Sequence, residues 1–137
     1  MQNALIAATC LLVLVTLPHT IEDFHYGALL RFGITQPVGI AILVVMYSVQ
    51  LGALRFSLAG SSRGALLLAC TGAIWCIGAV LIHGHEIIFA GAGYRHGTIS
   101  KFLEVLIIVL GAVVAVTGIC VAYGRPAGHR VQQPKPH

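Results

Sequence analysis

The chain has 137 residues, of which 58% are apolar and only 9% charged, with a formal net charge of +4 and a mean hydropathy of +0.93. A water-soluble domain of ordinary composition carries far more charge, so a soluble enzyme or binding module is excluded and the chain belongs in a lipid bilayer. The cations are too few, and lack a soluble module to present them, for nucleic-acid recognition.

Inside a bilayer every backbone polar group must be paired within a helix or a closed barrel, and long, non-alternating apolar runs select helices. A span needs about 20 mostly apolar residues. Four stretches meet or approach that length: Ala4 to Pro18, Pro37 to Phe56, Ala65 to Ile82 and Phe102 to Tyr123. The expected fold class is therefore an all-α membrane protein, a four-transmembrane-helix bundle whose membrane domain covers residues 1–124. The first stretch lacks a positive leader and a small-residue cleavage site, and it is read as a retained span. It runs into Pro18, after which Thr20 to Arg31 is amphipathic and punctuated by Gly27 and Gly33. This segment is predicted to be a tilted helix end or an interfacial stretch that returns the chain to the membrane. The second span is entered through Pro37 and closed by the turn-rich linker Ser57 to Gly64. From Ala65 the third span reaches His83 after about 27 Å of helical rise. The fourth begins after Lys101, with Glu104 close to its entrance. The polar, proline-rich residues 125–137 are predicted to form a disordered cytoplasmic tail.

One polar signature occurs twice. His19 to Gly33 reads HTIEDFHYGALLRFG and His83 to Gly97 reads HGHEIIFAGAGYRHG, with His, Glu, Gly, Ala, Arg and Gly at equivalent places. Ala and Gly matches follow from so biased a composition, but the chain has only three Glu and six Arg, so the aligned HxxE and Arg positions imply an internal duplication. The repeats are taken as residues 1–60 and 65–124. Each contributes two spans and so inserts in the same sense, which gives tandem parallel helix hairpins related by a pseudo-two-fold axis along the membrane normal.

Arg55, Arg63, Arg125, Arg130 and Lys135 lie on one side of the membrane, whereas Arg31, Arg95 and Lys101 share the other with all four acids, Glu22, Asp23, Glu86 and Glu104. The positive-inside rule makes the five-cation side cytoplasmic. This predicts a multi-pass cell-membrane protein with cytoplasmic N- and C-termini and the duplicated signature near the outer face. Cys10, Cys70, Cys76 and Cys120 form no CxxC pair and read as small hydrophobes.

His and Glu three apart on a helix share a face, and the axis sets His19 and Glu22 opposite His83 and Glu86. Together these four residues make a candidate site for a divalent transition metal. His19 and His83 alone make a candidate pair of axial haem ligands. A third possibility is a pocket in which the same groups work as acid and base on a lipid-soluble molecule such as a quinone, sterol or isoprenoid. A purely structural role is the fourth, with Glu22 paired to Arg31 and Glu86 to Arg95 within each repeat. A homo-oligomer or membership of a larger membrane complex is compatible with the small residues of the third and fourth spans.

Overall fold

The structure is a computed structural model and describes residues 1–89 and 97–124. Arg95, the glycines at 91 and 93, the Glu86–Arg95 pair and the tail 125–137 lie outside the described residues. Among the described residues there are four long helices: α1 Gln2–His25, α2 Gln36–Leu58, α3 Ser62–Phe89 and α4 Gly97–Tyr123. All four are long and apolar enough to cross a membrane. Their outward faces carry residues such as Leu14, Val44, Leu81 and Val116, as a lipid-facing surface should. The fold is a four-helix membrane bundle.

Helix α1 continues through Pro18 for about two further turns before it stops at His25. Gly27 and Gly33 then adopt φ of 66° and 71°, bracketing a 3₁₀ turn over Ala28–Phe32. Both are left-handed conformations that an L side chain resists, and they reverse the chain into α2, whose entrance carries Pro37. The linker expected over eight residues is shorter in fact. Helix α2 runs to Leu58 and α3 restarts at Ser62, with Gly60 at φ 85° in the turn. The amide of Gln2 donates to the Ser57 carbonyl at 2.8 Å, so the start of α1 and the α2–α3 turn share one end of the bundle. His19, Glu22, His83 and Glu86 lie toward the other.

Around the bundle the helices follow the order α1, α4, α3, α2. The α1–α4 and α2–α3 interfaces are alike in extent, but the two hairpins are not equivalent. Helices α3 and α4 share the most extensive interface, whereas α1 and α2 barely meet. The sequence supplies a reason. Lipid tails are as apolar as leucine, so membrane helices associate through close packing of small residues. A Cβ on Gly72 would lie 2.7 Å from the Gly111 carbonyl oxygen, and one on Gly118 2.7 Å from that of Ala65. The α3 and α4 backbones are thus in direct contact. Shifted back by 64 positions, Gly111 becomes Tyr47 and Gly118 becomes Leu54. The Tyr47 hydroxyl spans the gap and donates to Thr16 Oγ1 at 3.0 Å. Bulk on α2 holds it away from α1, and between Gly39 and Gln50 no residue of α2 is buried.

Arg31 bonds Glu86 at 2.6 Å, joining the 3₁₀ turn of the first half to α3 of the second. This replaces the expected pairing of Arg31 with Glu22: after the reversal at Gly27, the short turn delivers the guanidinium across the bundle. The pair is partly exposed at the rim, where ion pairs contribute little. Arg31→Gln should therefore lower stability by no more than about 1 kcal/mol in detergent unfolding.

Candidate metal centre

Near the end of the bundle opposite Gln2, the inner faces of α1 and α3 bring His19 and His83 together. Their Nε2 atoms are 3.3 Å apart, and the rings meet edge to face at a centroid distance of 5.0 Å. Both imidazoles are buried. Asp23, one turn beyond His19 on α1, places Oδ2 3.4 Å from each Nε2. Three donor atoms from two helices thus form a nearly equilateral triangle, and this His–Asp–His group could hold a metal ion.

The far nitrogens of both rings face carboxylates. Glu104 of α4, completely buried, lies 3.0 Å from His83 Nδ1. Glu22 lies 3.8 Å from His19 Nδ1 and accepts a 2.9 Å hydrogen bond from the Ser100 hydroxyl of α4. The two Nε2 atoms and Asp23 Oδ2 all lie within 3.4 Å of one another, so the group is bridged either by a ring hydrogen donated from one Nε2 or by a cation at its centre. Asp23 Oδ1, both Glu104 oxygens and both Nδ1 atoms are buried without an aligned hydrogen bond, which is expensive in a low-dielectric interior.

Of the four residues that the duplicated signature singles out, His19 and His83 meet at the triangle. Glu22 stands behind His19, and Glu86 turns to Arg31. Two contributors, Asp23 and Glu104, lie outside the repeat: the positions equivalent to them are Ile87 and Ile40. Symmetry therefore hides both. A different signal was present for each. Asp23 is i+4 from His19 and so shares its helix face, and Glu104 is an ionisable residue at a span's entrance, where a partner is the default expectation.

The site opens on a crevice of about 240 Å³ whose lining is apolar apart from a few groups, His19, Thr20, Asp23, Trp75 and His83. Its mouth is flanked by lipid-facing Ile42 of α2 and Ile74 of α3. The crevice exists because the first half of α2 stands off from the bundle.

Fold and site together define a class: a multi-pass helical membrane protein with a buried histidine and carboxylate cluster at one end of its bundle. Comparison with protein-family models, with curated proteins and with solved structures gave no match to the chain. The functional reading therefore rests on the site itself.

Proposed function

We propose that this chain is a membrane metal-binding protein in which His19 Nε2, His83 Nε2 and Asp23 Oδ2 hold one divalent transition-metal ion. The observation that carries this reading is the triangle, with edges of 3.3, 3.4 and 3.4 Å. Three ligands at about 2.0–2.1 Å around a tetrahedral ion are separated by about 3.3–3.4 Å, whereas neighbouring ligands of an octahedral ion come about 0.4 Å closer. The donor set of two imidazoles and one carboxylate, with a fourth position toward a cleft, is that of a zinc-class site with an open coordination place. Charge points the same way: Asp23 and Glu104 are both buried beside the two rings, and a divalent cation balances two carboxylates. When bound, such an ion supplies Lewis-acid polarisation of an oxygen ligand.

Geometry favours an ion over haem. Iron held between two axial imidazoles needs about 4 Å between their nitrogens, from two bonds of about 2 Å, and a flat slot across that axis. Here the nitrogens are 3.3 Å apart, and Asp23 Oδ2 flanks the space between them.

The duplication is supported by the element bounds. A shift of 64 carries His25, the end of α1, onto Phe89, the end of α3, and carries α2 onto residues 100–122 within α4. In this reading an ancestral hairpin doubled, one copy kept close α3–α4 packing, and the other opened to form the crevice. The same reading places the centre near the outer face, since it lies at the bundle end away from Arg55 and Arg63.

Glu104 provides the test. Glu104→Gln removes the carboxylate behind His83 while keeping its shape, and should weaken Zn²⁺ or Co²⁺ binding by about 10- to 100-fold in titrations of the detergent-purified protein. Unchanged affinity would mean that the Glu104 carboxylate does not support the metal through His83.

A further inference from the structure

The crevice that reaches the ligands has a size, a lining and an entrance, and together these describe what it takes. Resting on the metal reading above, we infer that it binds the ring of a lipid-soluble quinone, one ring oxygen directed at the open coordination place of the ion held by His19, Asp23 and His83. At about 240 Å³ it has room for one substituted six-membered ring.

Polarity fixes the orientation. Among the polar side chains of the lining, Thr20 donates to the Leu17 carbonyl and Trp75 Nε1 donates to Gln50 Oε1 at 2.9 Å, so both donors are occupied. The polar demand left in the crevice is concentrated at the His–Asp–His end. A ligand that fits is apolar along its length and carries an oxygen donor at the inner tip. Entry is lateral, between Ile42 and Ile74 at the lipid-facing mouth. An alkyl tail then remains among lipid chains.

Trp75 lines the crevice and is the only tryptophan of the chain, so its emission reports on the pocket. Gly78 lines it as well, and a Cβ there would meet nothing within 4 Å. Gly78→Leu therefore fills the space without disturbing a helix contact. The experiment titrates a decyl-substituted benzoquinone into the zinc-loaded protein in detergent, with metal content measured beforehand on each sample. The expected result is saturable quenching of Trp75, with half-saturation at least tenfold higher in Gly78→Leu at unchanged metal content, and at least tenfold higher again in wild type stripped of metal. Quenching that does not saturate, or that Gly78→Leu leaves unchanged, would overturn the quinone site while the metal centre stands. Saturable quenching indifferent to the metal would overturn the proposed role of the ring oxygen. A wild-type protein that takes up no metal would remove the metal reading, and this inference with it.

Discussion

His83→Ala should reduce zinc or cobalt affinity by more than about 100-fold, because it removes a ligand, whereas loss of a group behind a ligand already costs up to about that much. His83 joins three parts of the site at once: it faces His19 and Asp23 through Nε2 and Glu104 through Nδ1. Taking it away leaves two buried carboxylates short of a partner, a change that destabilises proteins by about 3–5 kcal/mol. Asp23→Asn separates affinity from folding, since it keeps volume and loses only the charge. That variant should retain its helical circular dichroism and still bind metal at least about tenfold more weakly. If both variants bind as tightly as wild type in equilibrium dialysis, the ligands have been wrongly assigned.

Gly111→Leu should produce the largest loss of stability of any single change outside the site, about 3 kcal/mol or more. A Cβ at 111 would sit 2.8 Å from the Gly72 carbonyl oxygen and 2.9 Å from the Cys76 amide nitrogen. These are backbone atoms that cannot rotate aside. Helices α3 and α4 would be forced apart, and Glu104 would move with α4 away from His83. Gly52→Leu is the control, because a Cβ there meets nothing within 4 Å. Unfolding midpoints in a graded denaturing detergent should fall sharply for the first variant and stay in place for the second. Equal behaviour of the two would mean that close α3–α4 packing is not what holds the bundle.

Much of this architecture was legible in the residues. Four apolar runs that meet or approach the length of a span give four helices, and the His19 and His83 pair follows from a signature repeated 64 positions apart. The symmetry argument loses its force where the halves differ. It places Glu86 beside His83, but no repeat reveals that the Gly27 and Gly33 reversal brings Arg31 across to hold Glu86 instead. It gives no sign of Asp23 or Glu104, which lack equivalents. The crevice was equally hidden, since the replacement of Gly111 by Tyr47 at the matching position acts through packing against a neighbouring helix, and only the assembled bundle shows which positions form the interface.

The central claim is that one ion sits between His19, His83 and Asp23. Metal analysis joined to X-ray absorption at the metal edge, on protein purified in detergent without chelators, tests it most directly. The account predicts one ion per chain with nitrogen and oxygen neighbours at about 2.0–2.1 Å and the outer-shell scattering of two imidazoles, all absent from His83→Ala. A Soret band with iron in a porphyrin, sulfur in the coordination shell, or no bound metal at all would contradict it.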